Sequence, residues 1–224
     1  MQVARGRTDA GTRGSVTGGK HLSPLEDAVA SLFRSDPDIG AILEVRSGGK
    51  HTLPGYYRRS KNWDIVVTYR GALVAAIEFK SQVGSIGNNH NNRTEEALGN
   101  SDDVWRAHEA GLLGPIRPWL AFVLVLEKSP ASTRPVRDDQ TIFPTDREFD
   151  TAAYLDRYRI TFLRLIQDGK YDAAVVAASE RGGGVFDEPV PRLSFNRLER
   201  EVELRLSAIK QLPDAAFRRE PPIH

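Results

Sequence analysis

The alternation of apolar and polar positions along the chain predicts a mixed helix and strand protein. Leu25, Val29, Leu32 and Phe33 recur at helical spacing behind Ser23-Pro24-Leu25-Glu26. There Ser23 reads as an N-cap, Pro24 as the first helical residue and Glu26 as the reciprocal capping acid. Ala41 to Val45 reads as a short strand. Asn62 to Tyr69 and Leu73 to Lys80 read as two strands joined through Arg70-Gly71-Ala72 as a three-residue hairpin loop. The polar stretch Gly84 to Asn92 reads as a loop, with a helix after it from about Arg93 to Gly111. Trp119 to Leu126 is apolar at every position, as a strand covered on both faces requires, and is expected at the centre of a sheet. Ser129 to Pro144 is too long for a plain turn and reads as a functional loop. A helix from about Thr151 to Gly169, an edge strand from Tyr171 to Ala178, a Gly-rich loop from Arg181 to Pro191 and a charged amphipathic helix from Ser194 to Leu212 complete the pattern.

No internal repeat or compositional break divides the chain, so residues 21–224 read as one α/β domain. Residues 1–20 carry almost no large apolar side chain to bury and read as a mobile basic arm.

Composition narrows the chemistry. The 224 residues suffice for one well-buried domain, and they include no Cys. That excludes disulfides, thiolate zinc sites and Cys nucleophiles, leaving oxygen or His ligands for any metal. No apolar run approaches the ~20 residues that span a bilayer, and the N-terminus has no apolar signal core, so the cytoplasm is the expected compartment and no membrane partner is expected. The formal charge of +1, from 31 cations against 30 acids, says nothing for a nucleic-acid partner by its sum. Of those cations 24 are Arg, whose planar fork suits phosphates and guanine edges, although a GC-rich coding bias enriches Arg equally. Position has to decide.

Position singles out Trp63-Asp64-Ile65 and Ala76-Ile77-Glu78-Phe79-Lys80. Side chains alternate along a strand, so Glu78 and Lys80 share one face while Ile77 and Phe79 share the other. With Tyr69 opposite Leu73, the hairpin register puts Asp64 opposite Glu78. Facing carboxylates repel unless a cation bridges them, and Mg²⁺ supplies that charge. The backbone carbonyl of Phe79 is a further metal-ligand candidate, and Lys80 completes a cluster suited to phosphodiester hydrolysis. This is the PD-(D/E)xK pattern, with Trp63 where that pattern has Pro. The bland alternative is a solvated strand face bearing one exposed ion pair. Glu26 is either an accessory acid of the metal site or simply the acid of its capping box.

The flanking segments suit DNA. Tyr56, Tyr57, Arg58, Arg59 and Lys61 mix aromatics with cations just before Asp64. After Lys80 come Ser81 and Gln82, then Asn88, Asn89, His90, Asn91, Asn92 and Arg93, which could read base edges or organise their own loop. Arg134 and Arg137, in the long connection, are either DNA contacts or solvated.

The stretches LPGYYRRSKNWDIVV, LVAAIEFKSQVGSIGNNHNNRTEEALG and FDTAAYLDRYRITFLRLIQDGKY resemble the XhoI family of type II restriction endonucleases over about residues 50 to 175. The resemblance implies a restriction-endonuclease-like core, a mixed central β-sheet flanked by α-helices. It implies Asp64, Glu78 and Lys80 as the catalytic set and Mg²⁺ as cofactor. It further implies a homodimer that cuts both strands of a palindromic double-stranded DNA site such as CTCGAG, with a cognate DNA methyltransferase as functional partner without direct contact. Two other functions share the motif: a structure-selective or repair nuclease, and a non-cleaving DNA-binding protein. Indifference to sequence would mark the first, and absence of Mg²⁺-dependent cutting the second.

Overall fold

The computed structural model of the chain describes residues 22–136, 141–180 and 186–218, so the expected arm at 1–20 and Arg137 lie outside the described residues. Its centre is a six-stranded sheet. In chain order the strands are β1 (Glu44–Arg46), β4 (Ile65–Tyr69), β5 (Ala72–Gln82), β6 (Trp119–Glu127), β7 (Ala173–Ser179) and β8 (Phe186–Asp187), and they lie side by side in that same order. The pairs β5–β6 and β6–β7 are parallel and the others antiparallel. Strands β2 (His51–Pro54) and β3 (Ser60–Trp63) form a separate two-stranded hairpin inserted before β4.

Helices cover both faces, which is why β6 is apolar from Trp119 to Leu126. On one face, Val29 and Phe33 of α1 (Ser23–Arg34) and Leu198, Val202, Leu206 and Ile209 of α5 (Phe195–Gln211) pack on Ile65, Val67, Ile77, Phe79 and Val123. On the other, α2 (Ile86–Glu109) and α4 (Tyr154–Gln167) bury Ala97, Val104, Tyr158 and Phe162 against Val66, Ala76, Phe122 and Leu124. A single turn, α3 (Pro130–Thr133), follows β6. This mixed sheet between helical layers is the core that the resemblance implies. No helix among the described residues is long and apolar enough to cross a membrane.

Several boundaries differ from expectation. Ser23 lies inside α1 and Leu22 occupies the N-cap without a side-chain bond, so Glu26 has no capping box to serve. The strand expected at Ala41–Val45 is a 3₁₀ turn at Gly40–Ile42 and then β1, which gives α1 room to hand the chain to the sheet edge. The strand at Ala173–Ser179 is buried on both faces by helices, and among the described residues β8 pairs with only its last two residues, Ala178 and Ser179, so the strand expected at the edge borders it along most of its length.

The Asn-rich stretch is helix, not loop. Asn and Gly have weak helix propensity, but tertiary contacts override it. Ile86 is buried, Gln82 Nε2 donates to the Ile86 carbonyl at 3.0 Å, and Asn89 Nδ2 donates back to the Ser85 carbonyl at 3.1 Å. Helix α5, by contrast, starts as expected at Ser194, whose hydroxyl accepts from the Arg197 N–H.

The β4–β5 hairpin carries an instructive pair of departures. Its loop is the two residues Arg70 and Gly71, both at positive φ (51° and 78°), the geometry of the turn that best matches strand twist. Tyr69 therefore pairs with Ala72 and Thr68 with Leu73, one residue short of the expected register. A bulge between Val67 and Thr68 then restores it, and Val67 pairs with Ala75, Val66 with Ala76 and Ile65 with Ile77. Continued by one pair, this register brings Asp64 opposite Glu78.

Candidate active site

The site forms where the inserted hairpin rejoins the sheet. Trp63, buried in the α2-side core, anchors the end of β3, and Asp64 follows at the junction with β4. The Asp64 carboxylate reaches β5 directly, and the Phe79 N–H donates to its Oδ2 at 2.7 Å. Because Ile77 and Phe79 belong to the α1–α5 core, Glu78 and Lys80 face α2. The bland alternative of a solvated strand face is overturned: Glu78 is only 4% exposed.

Two lysines hold this buried acid. Lys80 Nζ lies 2.6 Å from Glu78 Oε1, and Lys61 Nζ, from β3, lies 2.5 Å from Oε2. Lys80 also reaches Glu96 Oε1 at 3.0 Å, and Glu96 pairs in turn with Arg93 one helical turn away on α2. The result is a line of alternating charge, Lys61, Glu78, Lys80, Glu96 and Arg93, with Asp64 alongside.

Electrostatics separates these groups. Burial raises the Asp64 acid above its ordinary value, and the Glu78 charge pushes it further, against the Phe79 N–H, Lys80 and Lys61. Burial opposes the Lys80 ammonium, yet Glu78 and Glu96 outweigh it and hold Lys80 above the ordinary lysine value. At Lys61 burial wins over Glu78, with Lys80's charge helping, and the pKa falls. Glu96 is held low by Lys80 and Arg93 despite its own burial. The Glu26 acid on α1 is raised by partial burial and next by the charge of Asp64.

The other residues expected at DNA divide into two groups. Tyr56, Tyr57, Arg59, Asn91, Asn92 and Arg134 are exposed, while Ser81, Asn89 and Arg93 are partly so. Gln82 and His90 instead lie in the interior, where a base contact has no access. Gln82 joins the Ile86 carbonyl to the Tyr158 hydroxyl, which donates to Gln82 Oε1 at 2.6 Å. His90 packs its ring on Tyr158 at 4.7 Å. The placement of Asn88 is given for its backbone alone. Sequence reasoning missed Glu96 entirely and put Lys61 only at phosphate. The helix expected from Arg93 already carried Arg93 and Glu96 one turn apart, but nothing local showed that this face of it meets Lys80.

Arg58, expected at DNA, is half-exposed but its guanidinium is engaged by α2. Its Nε donates to Asp103 Oδ2 at 2.7 Å and its Nη2 to Asn100 Oδ1 at 2.9 Å, while the Tyr56 and Tyr57 N–H groups both donate to Asp103 Oδ1 at 2.8 Å. Asp103 on α2 thus ties down the hairpin tip that presents the two tyrosines. Gly55 is required there, since a Cβ would stand 2.7 Å from both the Arg58 carbonyl and Asp103 Oδ2.

Asp103→Ala is expected to cost about 2 kcal/mol, mostly from the orphaned amides because the half-exposed Arg58 rehydrates, and to make the tip protease-sensitive. Urea unfolding and limited proteolysis would check this, and a tip as resistant as in the parent chain would sink the tether. Burial raises the Asp103 acid, but Arg58 and the two amides outweigh it, so its folded value lies below the ordinary 3.8. The tether therefore contributes its full stability above that pH and loses it as pH falls through the lower folded value.

Comparison with known proteins follows the same lines. The family model described as restriction endonuclease XhoI matches residues 1–187. The chain is 38% identical over 198 residues to the type II restriction enzyme BstVI of Geobacillus stearothermophilus, covering 84% of this chain and 87% of that one. It is 38% identical over 165 residues to the type II restriction enzyme XhoI of Xanthomonas vasicola, covering 73% and 66% of the two chains. To the type II restriction enzyme AbrI of Azospirillum brasilense it is 47% identical over 98 residues, 43% and 44% of the two chains. No solved structure matches significantly.

Proposed function

Since the chain belongs to the XhoI family of restriction endonucleases, we propose that it cuts both strands of a short palindromic DNA site, CTCGAG or a related sequence, with Mg²⁺ at Asp64 and Glu78. The observation that carries this reading is the Asp64–Glu78–Lys80 constellation, built on one register of β4 and β5 and covered by α2.

The donors fit a hard cation. Among the described residues no three His, Asp or Glu side chains gather into a metal cluster by themselves. The proposed set is accordingly two carboxylates and the Phe79 carbonyl, with Glu26 as an outer acid. Asp64 is a half-buried acid beside the buried Glu78, whose charge raises it, and a divalent ion at the pair would favour its ionised form. The Phe79 carbonyl suits the role because the Phe79 N–H already points at Asp64, and a strand residue directs both its backbone groups to the same edge.

When bound there, Mg²⁺ supplies positive charge at the scissile phosphoryl group and makes water more acidic. Lys80, kept protonated by Glu78 and Glu96, orients the attacking water by donating hydrogen bonds and offsets the charge that develops on the phosphoryl oxygens. Tyr56, Tyr57, Arg59, Asn91, Asn92 and Arg134 are the exposed groups proposed to meet DNA. A palindrome read on both strands calls for two-fold symmetry, so the active form is a homodimer of one endonuclease domain per chain, and a methyltransferase of the same specificity protects the host site.

Digestion of DNA of known sequence with Mg²⁺, followed by sequencing of the ends, tests the proposal. One recurring palindrome cut in both strands is the expected result. Ends scattered without regard to sequence, or no cutting at all, would overturn it.

A further inference from the structure

Glu78 has two carboxylate oxygens, and in the protein alone both are taken by ammonium groups. A divalent cation bound to Glu78 therefore competes with them for the same carboxylate and repels both. We propose that Lys61 is the displaceable counter-ion: it occupies the cation's place between Glu78 and Asp64 in the free protein and leaves when the ion loads. This rests on the metal reading above.

The two lysines are held very differently. Lys80 stands on a central strand and has a second acid, Glu96, at 3.0 Å, so it keeps a carboxylate partner whatever happens at Glu78. Lys61 stands on the inserted hairpin, outside the main sheet. Apart from Glu78, among the described residues its Nζ has the Asn62 carbonyl at 2.9 Å and the face of Trp63 at 4.2 Å, and no second acid bonded to it. Its charge also acts on Asp64, the residue that follows Trp63 at the end of the same strand. A long, flexible side chain on a peripheral strand exchanges one partner for another at little cost to the fold. The contact is buried, since the Lys61 side chain is 11% exposed and that of Glu78 5%. It is therefore not the weak pairing of a solvated surface.

The experiment measures metal binding without DNA, by calorimetry or by the spin-resonance signal of free Mn²⁺. Lys61→Met removes both the competitor and a repelling charge, and is expected to bind Mn²⁺ about tenfold more tightly than the parent chain. Glu78→Gln is expected to bind it at least about tenfold more weakly. Unchanged or weaker binding by Lys61→Met, with Glu78→Gln impaired, overturns the counter-ion role and leaves the metal reading intact. Binding untouched by Glu78→Gln overturns the metal reading itself.

A second measurement needs no variant and so does not depend on how methionine folds. Lys61 in the parent chain is expected to be acetylated several-fold faster in saturating Ca²⁺ than in chelator, while the exposed Lys50 stays constant. Equal protection of Lys61 in both conditions overturns the proposal.

Discussion

Glu78→Gln, and equally Asp64→Asn, is expected to slow double-strand cleavage at least about a thousandfold, in a plasmid assay with Mg²⁺ at saturating enzyme. Each change keeps the size of the side chain and removes only its charge. At Glu78 that charge is the hub of the site, because both lysines rest on it and Asp64 is raised by it. An amide neither balances two ammonium groups nor holds a divalent ion. DNA binding is expected to survive, since the exposed contacts lie elsewhere on the hairpin and on α2, and a mobility-shift assay in Ca²⁺ separates the two effects. Lys80→Ala is expected to abolish cutting as well, and it leaves Glu96 with Arg93 alone. Any of the three variants cutting at the parent rate would place the chemistry somewhere else.

Chelation of divalent ions is expected to have an effect of similar size, at least about a thousandfold, in the parent chain. Without the ion the site is already internally neutralised, with Lys61 and Lys80 on Glu78, and Lys80 is left without the divalent charge it works beside at the phosphoryl group. Ca²⁺ is expected to restore DNA binding but not efficient turnover, because it is larger and accepts irregular coordination, whereas Mg²⁺ imposes a tight octahedron. The check is a single-turnover time course in Mg²⁺, in Ca²⁺ and in chelator. Undiminished cleavage in chelator would refute metal-dependent chemistry at this site.

Much of the site was legible because strand geometry is local. Alternation alone puts Glu78 and Lys80 on one face and Ile77 and Phe79 on the other, and the structure keeps that division. The opposition of Asp64 and Glu78 was reached through a wrong detail. The loop has two residues and not three, and the register near the site is recovered only because the bulge at Val67/Thr68 adds the missing residue. Hydrophobic pattern cannot show such a bulge on strands that are buried on both faces, since slipping one residue exposes nothing polar. The Asn-rich start of α2 was illegible for a different reason. Local propensity favours a loop, and only burial of Ile86 and the bonds from Gln82 and Asn89 reverse that preference.

The sequence by itself determined the class of protein, the central apolar strand and the three residues proposed to carry the chemistry, because those depend on side-chain type and on periods of two or about 3.6 residues. Tertiary structure decided which further charged groups serve the site. Lys61 and Glu96 lie 17 and 18 residues from Glu78 in opposite directions, on a hairpin and a helix. Whether they reach Glu78 and Lys80 on β5 depends on how those elements fold back onto the strand, which no local pattern encodes. Arg58 makes the same point from the other side. By composition it belonged with Arg59 and Lys61 at DNA, yet the approach of α2 gives it Asp103, an acid that two backbone N–H groups already hold in place for a charge-assisted bond.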